Sequence, residues 1–377
     1  MGTRACAKGL FKGLTAIAAA VVLASCGGGG SDAGEAPFGT GSGTSGGGTG
    51  GTGGGTGGGG TSTPTTPTTP GGGISNVATG VASQRFMSIS SPKYNLNWAL
   101  DGDTTTIQIY AADTAGNPVP NGTVIQFSTE GGQIQTSCLT TGVQSGTSVI
   151  SGCSVTFNTQ DFRPVDGYVT IIAWMEGEEA YKDSNGNGRY DAGEPFIDSG
   201  QIFRDDDEND AFDPNLDELV VNSTLTGTPG VGTSGCAAAP AEVNINEIPR
   251  SIDGTCDGVW GRTLIRRTIN LPVSDPRLLS VTEVNDVRGH GVEVATNFGT
   301  RPAAAPAGTA LTVLNAPAGC AVTISPPSVG NAEVAPTFHA ILGTGSATNP
   351  GACSGAEVTV EAKFQEYSPA RTTFTFP

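Results

Sequence analysis

Basic, aromatic and histidine side chains are all scarce in this chain. Its 377 residues include 18 Lys and Arg against 35 Asp and Glu, a formal net charge of −17, and aromatics make up 6%. That excess of negative charge argues against nucleic acid or a bare anionic membrane surface as a partner. Only two histidines occur, His290 and His339, and there is no C-x-x-C, so a zinc site lacks its usual ligands. No P-loop, HExxH or dinucleotide glycine motif is present, and neither histidine stands beside a credible nucleophile. Acidic residues are plentiful in one stretch alone, which does not suit the paired carboxylates of a glycosidase cleft. These absences point away from catalysis. A sustained helical period is missing too. Val, Thr, Ile, Gly and Pro dominate the body, in short alternating runs broken by Gly, Pro, Asn and Asp. That pattern predicts an all-β chain of two β-sandwich domains.

Long apolar runs are equally lacking. The one candidate, residues 14–23, is too short to span a bilayer and follows Arg4, Lys8 and Lys12, so residues 1–25 read as a signal peptide. The run ends in Leu23-Ala24-Ser25-Cys26, which resembles a bacterial lipobox. The resemblance implies cleavage before Cys26, a lipid such as palmitate on that cysteine, and membrane attachment through it. An ordinary signal peptide cut near the same place is the alternative. Gly27 in place of Asp resembles lipoproteins sorted to the outer membrane, which predicts a location in the bacterial envelope. Residues 26–73 are almost wholly Gly, Thr, Ser and Pro after the cysteine. They read as a flexible tether with a root-mean-square span of roughly 35–40 Å.

The most specific chemistry is at residues 183–194, D-S-N-G-N-G-R-Y-D-A-G-E. Oxygen-bearing side chains fall at loop positions one, three, five, nine and twelve: Asp183, Asn185, Asn187, Asp191 and Glu194. Gly188 sits at position six, where a calcium loop turns sharply, and the carbonyl of Arg189 supplies position seven. A hard cation needs such an oxygen shell, so calcium is the expected cofactor. A solvated acidic loop is the plainer alternative for any charge run. A poorer copy begins 22 residues on, with Asp205, Asp207, Asn209 and Asp213 at matching positions. There Asp210 replaces the glycine and Leu216 the glutamate, with Asp217 or Glu218 as substitutes if the loop bulges. The run before the first loop, Val169 to Trp174, is β-like and Pro195 follows it, so the setting is non-helical. In that respect it resembles dockerin-like and thrombospondin-type calcium loops.

Upstream, Asp113-x-x-Gly116-Asn117-Pro118-Val119-Pro120 reads as a tight turn followed by an extended segment. Thr106-Ile107-Gln108-Ile109-Tyr110 precedes it, Ile125 and Phe127 alternate after it, and Gly131-Gly132 follows. Over residues 84–175 this resembles the bacterial Ig-like domains of the invasin and intimin type. The resemblance implies an Ig-like sandwich of the kind used in surface stalks and adhesive modules, with no inherent catalysis.

The predicted organisation is an Ig-like domain at 74–226 carrying the acidic insertion 177–218, a link at 227–241 and a second Ig-like sandwich at 242–377. Strands are expected over 85–89, 104–111, 123–128, 154–158 and 168–174 in the first. In the second they are expected over 263–271, 279–284, 292–296, 310–314, 322–325, 337–342, 357–364 and 371–376. Six body cysteines, Cys138, Cys153, Cys236, Cys256, Cys320 and Cys353, suit three disulfides in an exported protein. Fifteen connectivities are open; pairing of sequence neighbours is the expected one. The functional expectation is a lipid-tethered, calcium-stabilised adhesin-like or scaffold module that meets a surface protein or glycan. The alternative is a carbohydrate-binding or accessory subunit of a surface hydrolase or secretion complex. Exposed aromatics would favour it, and Tyr94, Trp98 and Tyr110 are the nearest to a cluster.

Overall fold

The computed structural model describes residues 79–145, 148–220, 236, 243, 251–331 and 334–376. The signal segment, Cys26, the tether and all of the 227–241 link except Cys236 lie outside the described residues.

Alternation of apolar and polar side chains builds the first sandwich. Its early strands are β1 (Met87–Ser90), β2 (Thr104–Ala111), β3 (Val124–Thr129), β4 (Gln133–Ile134), β5 (Ser137–Leu139), β6 (Thr141–Ser145), β7 (Ser148–Asn158) and β8 (Tyr168–Glu178). A small ribbon, β9 (Phe203–Arg204) with β10 (Glu218–Leu219), comes next, and then β11 (Arg262–Pro272). One sheet runs β1-β2-β7-β4 with β6 also on β7; the other runs β11-β8-β3-β5. Inward residues such as Ile107, Ile109, Ile125, Phe127, Phe157, Ile171 and Trp98 fill the space between them. Each such side chain contributes roughly 1.5–3 kcal/mol by leaving water.

The strand β11 corrects the expected domain plan. The sequence pattern places residues 263–271 in the second sandwich, yet β11 pairs antiparallel with β8 along its whole length, from Arg262↔Glu178 to Pro272↔Tyr168. Ile265, Ile269 and Leu271 complete the first core. The first sheet pair therefore closes only after the chain has returned from a long excursion.

The second sandwich comprises β12 (Leu279–Asp286), β13 (Gly289–Thr296), β14 (Ala303–Ala304), β15 (Ala310–Asn315), β16 (Cys320–Ser325), β17 (Thr337–Gly345), β18 (Glu357–Lys363) and β19 (Ala370–Thr375). Its sheets are β12-β13-β17-β16, with β14 on β13, and β15-β18-β19. Val292, Val294, Val358, Val360 and Phe374 lie in its core. Disulfides join Cys138–Cys153, Cys236–Cys256 and Cys320–Cys353. Among the described residues there is no α-helix, and no helix is long and apolar enough to cross a membrane.

β8 explains where the insertion sits. Nearly every residue of β8 is buried on both faces. Val169, Ile171, Ala173 and Met175 face the core. On the opposite face Ile172 and Trp174 pack with Leu264 of β11 and with Ile202 of the insertion. The excursion thus folds back over the outer face of the sheet that launched it.

Candidate metal centre in two tandem loops

The excursion contains the same small structure twice. In the first copy Tyr181 and Phe196 form an antiparallel bridge at the loop's root, and Lys182 N–H donates to the Pro195 carbonyl at 2.9 Å. In the second, Phe203 pairs with Leu219 and Arg204 with Glu218. Tyr181 meets Tyr190 edge-on with centroids 5.7 Å apart, and Phe203 meets Phe212 in the same way at 5.3 Å. Ile197 packs beside Ala180 after the first loop, and Val220 beside Ile202 after the second. A spacing of 22 residues relates the copies up to the ninth loop position. Beyond it the second loop is one residue longer.

That extra residue settles the twelfth position. In the first loop Glu194 closes the circle: Oε1 accepts from Ser184 N–H at 2.7 Å and Oε2 from Asp191 N–H at 3.0 Å. In the second, Asp217 takes both roles, with Oδ1 accepting from Asp206 N–H at 2.9 Å and Oδ2 from Asp213 N–H at 2.7 Å. Leu216, which the bare spacing puts there, is exposed. Glu218 turns instead to Arg204 at 2.8 Å.

The opening aspartates are also equivalent. Asp183 accepts from the N–H groups of Gly186, Asn187 and Gly188 at 2.6–3.1 Å. Asp205 accepts from Asn209 at 3.1 Å and Asp210 at 2.8 Å. Positions four and six are left-handed in both loops: Gly186 and Gly188 at φ 75°, and Glu208 and Asp210 at φ 50° and 61°. Glycine meets that requirement freely, whereas Glu and Asp do not.

The donors converge. Nδ2 of Asn185 and of Asn187 each lie 2.6 Å from Asp191 Oδ2. Each amide oxygen accepts from a backbone N–H, Asn185 Oδ1 from Asn187 at 3.0 Å and Asn187 Oδ1 from Arg189 at 2.8 Å, and a hard cation would require both amides to turn their oxygens toward Asp191. In the second loop, carboxylate oxygens of Asp205, Asp207 and Asp217 all lie within 4.8 Å of one another. Asp207 Oδ1 is buried without a hydrogen-bond partner among the described residues. Electrostatics separate the two loops. Burial pushes Asp183 up, but the backbone N–H groups around it outweigh that and hold its carboxyl below the ordinary range. Burial raises Asp205 to about 6 in spite of its two N–H donors, and Asp207 and Asp217 add to the rise. A divalent ion would relieve that crowding of carboxylates.

Residues outside the ligand pattern hold the loops in place. Tyr190, at position eight, stacks on Trp260. Trp260 Nε1–H donates to the Glu179 carbonyl at 3.0 Å. Glu179 accepts from Ser199 N–H at 2.7 Å and Gly261 N–H at 3.0 Å, tying the root of the first loop to the return segment. Arg204 anchors the second loop. It forms a two-pronged pair with Asp206 and donates to Ser128 Oγ at 2.8 Å and Thr129 O at 3.0 Å on β3. Of these anchors, Tyr190 and Phe212 share the 22-residue spacing and could be found from it. Glu179, Arg204 and the stacking role of Trp260 carry no sequence signal.

Elsewhere the histidines are structural. His339 is buried between Thr337 Oγ1 and the Pro326 carbonyl, both at 2.8 Å. His290 packs on the rings of Phe374 and Phe376. Trp98 is fully buried and Tyr94 packs against the same core.

No protein-family model and no curated protein matches the chain. Two solved structures are similar to it. One is the adhesin InvE of Yersinia pseudotuberculosis, at 10% identity and a TM-score of 0.22, covering 79% of this chain. This chain spans 60% of the length of that one. The other is the D0-D1 domain of intimin, at 10% identity and a TM-score of 0.21, covering 76% of this chain and 97% of that one. Values this low say nothing of shared function.

Proposed function

We propose that the chain is a calcium-stabilised, lipid-tethered β-sandwich module of the adhesin or envelope-scaffold kind, with one ion in each tandem loop. The first ion would be held by Asp183, Asn185, Asn187, the Arg189 carbonyl, Asp191 and Glu194. The second would be held by Asp205, Asp207, Asn209, the Ala211 carbonyl, Asp213 and Asp217. The single observation that carries this reading is the repeated closure of each loop by one carboxylate, Glu194 or Asp217, on the same two backbone N–H groups. Calcium would stiffen an acidic excursion whose carboxylates otherwise repel. The tether would hold the sandwiches clear of the outer membrane through Cys26, where they would meet a surface protein or glycan.

Calcium titration of the full chain tests the reading. Asn fills two ligand positions in the first loop, so the expected Kd is roughly 10⁻⁴–10⁻³ M. At about 10 mM calcium each site of that strength stabilises by roughly 1.4–2.7 kcal/mol. Melting curves that coincide in calcium and in chelator would sink the proposal. Palmitate incorporation that survives Cys26→Ala would remove the anchor.

A further inference from the structure

The two loops differ at a position that the ligand pattern leaves unused. The fourth residue of the first loop is Gly186, and a Cβ there would meet nothing within 4 Å. The fourth residue of the second is Glu208, held at φ 50°, a backbone conformation that glutamate rarely adopts. Its side chain leaves the loop. Oε1 accepts from Thr170 Oγ1 of β8 at 3.1 Å, and Oε2 pairs with the Arg301 guanidinium.

Arg301 belongs to the second sandwich, on the connection between β13 and β14. The same guanidinium donates to Asp166 Oδ2 at 2.7 Å and lies 4.6 Å above the Tyr168 ring. Beside it the Tyr168 hydroxyl donates to the Pro302 carbonyl at 3.1 Å. Gly299 approaches Asp166 and Gly167 so closely that an added Cβ would lie 2.1 Å from the Asp166 carbonyl carbon. Both sandwiches and the second loop therefore meet at one arginine.

We infer that the second loop is a cation-set latch on the joint between the two sandwiches. The inference rests on the calcium reading above. Asp207 and Asn209, the ligands on either side of Glu208, would be fixed by the ion, and Glu208 would be fixed with them. Its left-handed backbone is unfavourable for glutamate and favours release once the loop opens. With the ion absent, repulsion among Asp205, Asp207 and Asp217 opens the loop. Glu208 then relaxes and Arg301 loses one of its two carboxylates. The first loop, with glycine in that place, has no such arm.

Amide hydrogen exchange on the full chain, in calcium and in chelator, tests the latch with Glu208→Gly and Arg301→Gln. Glu208→Gly copies the first loop and suits the left-handed backbone, so the variant is expected to fold and to keep its ion. In the natural chain calcium should slow exchange within 205–217, and also at 166–168 and 299–302 by about tenfold, a usual size for coupled sites. Each variant should keep the calcium effect within 205–217 and lose it at 299–302. Calcium protection of 299–302 that survives Glu208→Gly overturns the latch. So does a natural chain in which the loop responds and 299–302 does not. Exchange that ignores calcium everywhere, loops included, defeats the cation reading and the latch with it.

Discussion

Tyr190 lies flat on Trp260, with ring centroids 4.7 Å apart and planes inclined by 15°. The tyrosine stands between the seventh and ninth positions of the first loop, so the ring that leads back to the sheet is wired directly into the proposed ligand circle. Indole emission should therefore change on calcium binding. Trp260→Ala should weaken the first site and destabilise the fold by about 2 kcal/mol, below the range for fully buried aromatics because this ring is half-buried. An emission spectrum indifferent to calcium, with an unaltered melting temperature in the variant, would remove the tryptophan from the site.

The equivalence of Glu194 and Asp217 predicts stoichiometry. Calorimetric titration should give two calcium ions per natural chain. Glu194→Gln and Asp217→Asn should each reduce this to one, because an amide keeps the size and one acceptor but not the charge. A Glu218→Gln control should still bind two, since Glu218 serves Arg204 instead. Loss of a site in the Glu218 variant, with none lost in the Asp217 variant, would show that the loop closes elsewhere.

Register of β11 on β8 predicts where the chain can be cut. A fragment of residues 74–226 lacks Ile265, Ile269 and Leu271 and leaves a full edge of β8 unpaired. It should aggregate or stay unfolded, whereas 74–275 should melt cooperatively. Circular dichroism of the two fragments decides this, and a cooperative transition in the shorter one would contradict it.

Glu179 predicts a pH dependence. Burial outweighs its two backbone donors, and Asp198 and Asp257 push the same way, so its carboxyl is raised from 4.5 to about 8. A folded-state value above the unfolded one means that protonation favours the fold. The contribution is complete below about pH 4.5 and is lost as pH rises through about 8. With chelator present, the melting temperature should fall between pH 5 and 9, and Glu179→Gln should flatten part of that slope. A parallel pH profile in the variant would assign the slope to other carboxylates.

Where side-chain alternation is strong the strands can be read directly: the runs around Ile107-Gln108-Ile109, Ile125-Gln126-Phe127 and Val358-Thr359-Val360 each become a strand with that face inward. Strands β4, β5 and β6 have no such signature. Gln133-Ile134 and Ser137-Cys138-Leu139 are short and half-exposed, and their pairing comes from β7 and β3, not from their own pattern. β11 was visible as a strand, but its partner was not, because nothing local says which sheet a returning strand joins. At the loops, the grouping of oxygen-bearing side chains is legible because they lie close together along the chain. The anchors are not, because Glu179, Arg204 and Trp260 act on groups far away in sequence.

The excursion leaves β8 at Glu178 and re-enters β11 at Arg262, and these two residues are paired with each other. Mechanical tension between the chain's ends would therefore enter this strand pair at its opposite end, where Tyr168 faces Pro272, and reach the rung at Glu178 and Arg262 last. The first loop, hung beyond that last rung, would sense ion concentration in the medium but not the pull on the anchored molecule. The force at which β8 and β11 unzip in a single-molecule stretching trace should then be the same in the natural chain and in Glu194→Gln, which alters the first loop alone.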